Sequence, residues 1–181
     1  MGTRWNCSWL SYVTHDFNTN NIVSFPGGGL TTYYTTNDYL TQTTLTGDTT
    51  NGFTLYYPDG SKDVYGFLVT NSSGTFLEAM LTQYFDAQSN KLTLNYFSYT
   101  PSAPVVRLKN VVDGDGRTNT ITYATNNAYS TNLITKVTDP FGRSTTLSYN
   151  TNGDLTNIVD VMTNSTSFNY DTNDWVTNMT T

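Results

Sequence analysis

The chain of 181 residues is long enough to enclose a hydrophobic core, and its 14 Tyr and 9 Phe set it apart from disordered sequences even though only 12% of residues are charged. The net charge is −6, and the 8 Lys and Arg are scattered, which argues against nucleic-acid binding, where phosphate contacts need gathered cations. A single cysteine, Cys7, excludes an intrachain disulfide and a cysteine-rich zinc site, no apolar run has the length of a membrane span, and residues 1–6 lack the basic-then-apolar pattern of a secretory signal.

About one residue in five is threonine, and threonine and aromatic side chains suit a pleated, half-buried surface. Residues 1–52 therefore read as a β-rich N-terminal segment, with strands expected over 8–13, 22–25, 30–36 and 39–45 and a turn at Pro26 to Gly29. His15, the only histidine, stands beside Asp16 and near Ser8 and Cys7. A His-Asp pair is half of a nucleophilic constellation, but no motif sets a nucleophile against it, so it is expected to be a histidine at a strand end.

From Phe53 the register is plain. Phe53, Leu55 and Tyr57 alternate with Thr54 and Tyr56, Pro58-Asp59-Gly60-Ser61 makes a turn, and 64–69 is expected to return as one partner strand. A turn follows at Asn71 to Gly74. Glu78, Ala79, Met80 and Leu81 are good helix formers, yet eight residues without a cap nucleate poorly, so 76–83 is expected to be a strand. Strands are also expected over 91–98 and 105–112, with Pro101 and Pro104 in a loop between repeat units.

The last part of the chain repeats itself. Asp139 opens a turn (Asp139, Pro140, Phe141, Gly142), a strand of strict alternation runs over 144–149, a second turn spans Asn150 to Gly153, and a strand over 155–159 leads to Asp160. Asp160 begins another copy, with Tyr170 for Tyr149 and a strand over 166–170. Earlier copies begin at Asp113, with its strand over 118–123, and at Asp86, and in all four a tyrosine stands ten residues after the aspartate. Stacked at one position per unit, these tyrosines are expected to bury their rings in a ladder between hairpins.

Val137-Thr-Asp-Pro-Phe-Gly-Arg143, Leu147-Ser-Tyr-Asn-Thr-Asn-Gly-Asp-Leu155, Phe168-Asn-Tyr-Asp171 and Phe53-Thr-Leu-Tyr-Tyr-Pro-Asp-Gly-Ser-Lys62 resemble the RHS or YD-repeat family. The resemblance covers residues 53–181. It implies an all-β fold, an antiparallel array of β-hairpins forming an open strip of an RHS-type shell. It also implies an extracellular or cell-surface, bacterial setting, the remainder of a larger polypeptide as partner, and an encapsulated toxin as cargo. The expected role is structural, without catalytic, cofactor-binding or metal-binding residues.

Three other readings compete with this one. Asp113-Gly-Asp-Gly116 looks like part of a calcium loop, but Arg117, Thr118 and Asn119 supply no further ligands, so a turn is expected. RHS proteins that release their cargo carry Asp-Pro-x-Gly phrases resembling an aspartate-based self-cleaving site. Here Asp139-Pro140-Phe141-Gly142 matches once, while Asp160-Val161-Met162-Thr163 lacks both Pro and Gly, so self-cleavage is not expected. The alternative function is a carbohydrate- or surface-binding module, which an exposed row of aromatics such as Trp5, Trp9 and Trp175 would favour. Arg143 is expected to reach a neighbouring hairpin, and apolar Trp175, Val176 and Met179 at the final edge lead to an expectation of self-association.

Overall fold

The computed structural model describes residues 9–26, 28–101, 105–124 and 132–181; Trp5, Cys7, Ser8, Gly27 of the expected turn and Pro104 of the expected loop lie outside them. These residues form eighteen antiparallel strands and no helix. They fall into two compact units, one up to Gly116 and one from Arg117 onward.

The first unit begins with β1 (Tyr12–His15), β2 (Asn21–Ser24), β3 (Leu30–Tyr33), β4 (Asn37–Asp38), β5 (Thr43–Asp48) and β6 (Gly52–Tyr56). It continues with β7 (Lys62–Tyr65), β8 (Phe67–Thr70), β9 (Phe76–Met80), β10 (Gln83–Phe85), β11 (Lys91–Tyr96) and β12 (Leu108–Val112). One sheet has the order β3-β2-β1-β9-β8, and the other strands of the unit follow β12-β11-β10-β7-β6-β5-β4. Hairpin β5–β6 pairs Leu45 with Leu55 and Asp48 with Gly52, so pairing is continuous across residue 52.

The expected single strand over 64–69 is two strands in two sheets. Gly66 makes the break: a Cβ there would stand 3.1 Å from Thr82 Oγ1, and the Gly66 amide donates to that same oxygen at 3.2 Å. Gly66 is the mark of this change of sheet in the sequence, because β-propensity is the same on either side of it. The strand expected over 76–83 is present as β9 and then crosses into β10 at Leu81 and Thr82. Thr82 fastens this crossing, its amide donating to the Val64 carbonyl at 2.7 Å and its carbonyl accepting from the Leu94 amide at 2.7 Å.

The expected strand over 39–45 is also corrected. Asp38 accepts the Thr41 amide at 2.9 Å and the Thr41 hydroxyl, which holds residues 39–42 in a turn and delays the strand to Thr43. Tyr39 and Leu40 are left exposed.

The core of this unit takes Val13, Val23, Val69 and Ala79 from one sheet and Leu45, Phe53, Leu55 and Tyr65 from the other, all at most 3% exposed. Fully burying such aliphatic and aromatic side chains contributes roughly 1.5–3 kcal/mol each. Rings meet across the two sheets, with Phe53 and Phe76 centroids 6.0 Å apart and Phe67 and Tyr96 at 4.8 Å.

The second unit is a plain meander: β13 (Thr118–Tyr123), β14 (Ile134–Thr138), β15 (Ser144–Tyr149), β16 (Leu155–Val159), β17 (Ser165–Tyr170) and β18 (Val176–Thr180), each paired with the next. Ile121 and Phe168 are buried and Leu147 half-buried on one face, while their neighbours Thr122, Ser148 and Asn169 are exposed on the other. One face of each strand is thus packed and one is wet, as alternation requires.

Candidate functional site

One turn is used again and again, and its chemistry explains the repeat. The Asp139 amide donates to the Arg143 carbonyl at 2.9 Å, and the Gly142 amide donates back to the Asp139 carbonyl at 3.1 Å. Asp139 Oδ1 accepts the amides of Phe141 and Arg143, each at 2.9 Å. A short polar side chain that can fold onto the next turn of backbone is what this geometry selects. The same pair of side-chain acceptances is made by Asp16, Asn71, Asp86, Asn150, Asp160 and Asp171.

The fourth residue of each turn is left-handed, with φ 80° at Gly142 and 89° at Gly153 but also 70° at Thr163. Asp160 is held below the usual carboxylate range by the Asn164 side chain and then by backbone amides. Arg143 does not reach a neighbouring hairpin. It turns back on its own Asp139, Nε donating to Oδ2 at 2.7 Å, with its guanidinium 5.4 Å from the Phe141 ring centre, because four residues across a tight turn are closer than the next hairpin.

The repeat tyrosines tie each hairpin to the strand before it in one way. Tyr96 Oη donates to the Leu81 carbonyl at 2.6 Å, Tyr149 to Ile134 at 2.7 Å and Tyr170 to Leu155 at 2.6 Å, the acceptor standing 15 residues upstream each time. At each of these tyrosines the pairing with the following strand slips by one residue. The hydroxyl thus satisfies a carbonyl at, or just before, the start of the preceding strand, at the site of a β-bulge. The rings are half-buried, not buried as expected, since one edge stays open beside the bulge. Burial raises the Tyr149 phenol to about 12.

The residues singled out in the sequence are not brought together. His15 packs its ring on Phe76 (5.0 Å between centres) and Phe53 (6.3 Å), while Asp16 spends its carboxylate on its own turn. Asp113 takes the Asp115 amide on Oδ1 at 3.0 Å in the common turn geometry. Among the described residues no group of three or more His, Cys, Asp or Glu is gathered as for a metal, and no helix is long and apolar enough to cross a membrane. Trp175 is 59% exposed at its turn, and Trp9 lines a cleft.

That cleft holds the one arrangement the sequence did not disclose. Asp63 and Tyr65 point to the buried face of β7, 7% and 0% exposed. Both faces of Lys62-Asp-Val-Tyr65 mix polar and apolar residues, so alternation alone leaves the inward side open. Tyr57 Oη donates to Asp63 Oδ2 at 2.7 Å. The Ser11 hydroxyl donates to the Ser24 carbonyl at 2.8 Å, so the 3.0 Å bond between Ser11 and Tyr65 uses the proton of Tyr65. Tyr65 Oη is 3.5 Å from Asp63 Oδ2, with no second proton to give. Among the described residues, Asp63 Oδ1 is buried with no hydrogen-bond partner. Burial raises the Asp63 carboxyl, with Tyr57 opposing it in part.

Residues 129–160 match the family model described as RHS Repeat. No curated protein matches the chain. The matched stretch contains the Asp139 turn, strands β14, β15 and β16, the tyrosine bond from Tyr149 to Ile134 and the Asn150 turn, and the same turn and bond recur outside it; the chain thus carries an RHS repeat over residues 129–160.

Proposed function

We propose that the chain is a structural segment of a larger exported or cell-surface polypeptide, one stretch of a β-sheet wall that encloses a toxin segment, with no chemistry of its own. The observation that supports this most is the constant 15-residue tyrosine bond, which fastens hairpin to hairpin and serves sheet extension. Threonine-rich strands with one wet face and turns closed by their own side chains suit a wall that is rigid and needs little core.

The test is protease treatment of the full polypeptide that carries this chain. A wall predicts that a segment outside the repeats survives native digestion and is lost once the repeats are unfolded. Digestion of that segment at the same rate before and after unfolding would overturn enclosure.

A second reading, a carbohydrate-binding module, rests on exposed aromatics, with Trp175 at 59%, Tyr34 at 78% and Tyr39 at 86% exposure. Tryptophan fluorescence titrated with oligosaccharides tests it: a saturable change abolished by Trp175→Ala supports it, and no change opposes it.

A further inference from the structure

The cleft beside Asp63 has a volume of about 390 Å³, and its walls include Trp9, Tyr84, Leu92, Leu94 and Val111. This is the size of a small-molecule site, largely apolar, with a single acidic group. Asp63 is 7% exposed, receives one proton from Tyr57 and has its other oxygen unpartnered among the described residues. Lys62, the adjacent cation in sequence, is not its counter-ion: Lys62 Nζ lies 4.6 Å from the centre of the Phe85 ring.

A buried carboxylate without a cation is costly, and two aromatic side chains, Trp9 and Tyr84, line the same cleft, aromatic rings being groups that attract cations. We propose that this cleft binds an organic ammonium ion on an apolar stem, either a free aliphatic amine or the lysyl side chain of a peptide. The stem lies against Leu92, Leu94 and Val111, the ammonium pairs with Asp63, and Trp9 and Tyr84 flank it. An alcohol of the same shape gains the apolar contact without the ion pair, so the site distinguishes charge as well as shape.

The experiment is calorimetric titration of the full chain with n-butylammonium, with n-butanol as its uncharged counterpart, and with the peptide Gly-Lys-Gly. Butylammonium is expected to bind at least about tenfold more tightly than butanol, and Asp63→Asn is expected to remove that preference. Tighter binding of the peptide than of the amine identifies a polypeptide as the source, and the reverse order identifies a free amine. Tyr84→Leu, at a half-exposed position, gives a second reading and is expected to weaken butylammonium more than butanol. Equal binding of amine and alcohol to the parent chain, no binding of butylammonium at about 10 mM, or an undiminished preference in Asp63→Asn would each overturn the proposal. The parent chain's amine-to-alcohol ratio decides the matter even if Asp63→Asn does not fold.

Discussion

The Tyr149 hydroxyl donates to the Ile134 carbonyl at 2.7 Å, tying the end of one strand to the start of the strand before it. Removing only the oxygen leaves that carbonyl without its partner while the ring stays in place. Tyr149→Phe is expected to destabilise the chain by about 1–2 kcal/mol, a net hydrogen bond with part of a desolvation cost. Tyr170→Phe, whose bond to Leu155 is 2.6 Å, should cost a similar amount in the same urea titration. A loss at one site alone would show that the bonds are not equivalent.

The turn aspartates act through shape and through charge, and substitution separates the two. Asn71 and Asn150 make the same backbone contacts as Asp160, so Asp160→Asn is expected to leave the melting midpoint at neutral pH nearly unchanged, while Asp160→Ala lowers it by a few degrees. Because the folded carboxyl is lowered from 3.8, its stabilising contribution is present above that value and lost as pH falls through the lower folded value. The Asn variant should therefore lose less on acidification than the parent.

Thr163 holds φ 70° where the matching turn at Asp139 has Gly142 at 80°. A β-branched residue is strained there, and glycine is not. Thr163→Gly is expected to stabilise by about 0.5–1 kcal/mol, relief of the left-handed penalty less the added entropy of the unfolded chain, and Gly142→Thr to destabilise by about 1–2 kcal/mol. Denaturant midpoints of the two variants check both signs.

The second unit was readable because its strands are set by turn chemistry. Asp139, Asn150 and Asp160 announce where each strand must begin and end, and the strands expected over 118–123, 144–149 and 155–159 are those observed as β13, β15 and β16. The first unit was less readable because Gly66 and Thr82 change sheets within runs of uniform β-propensity. The inward side of Asp63 is not legible in the sequence for a related reason: its burial depends on which side of β7 meets Ser11, a residue 52 positions away that no local pattern connects to it.

Asp63 makes a prediction of opposite sign to the turn aspartates. Its folded carboxyl is raised by burial, so the stability linked to its protonated form is fully present below the unfolded value and lost as pH rises through the folded one. Asp63→Asn removes the buried charge, and its advantage over the parent is expected to grow from acid to neutral pH. Stability curves of the two proteins that run parallel from acid to neutral pH would show that Asp63 does not titrate in a buried site.

The most direct measurement compares two tyrosines in one denaturation experiment. Tyr149 ties its hairpin to the preceding one, whereas Tyr39 is 86% exposed in the turn after β4. Tyr149→Ala is expected to cost about 2–3 kcal/mol, for half a ring of burial and the lost bond to Ile134, while Tyr39→Ala costs less than about 0.5 kcal/mol. Equal losses at the two positions would contradict the claim that the repeat tyrosine is what fastens one hairpin to the next.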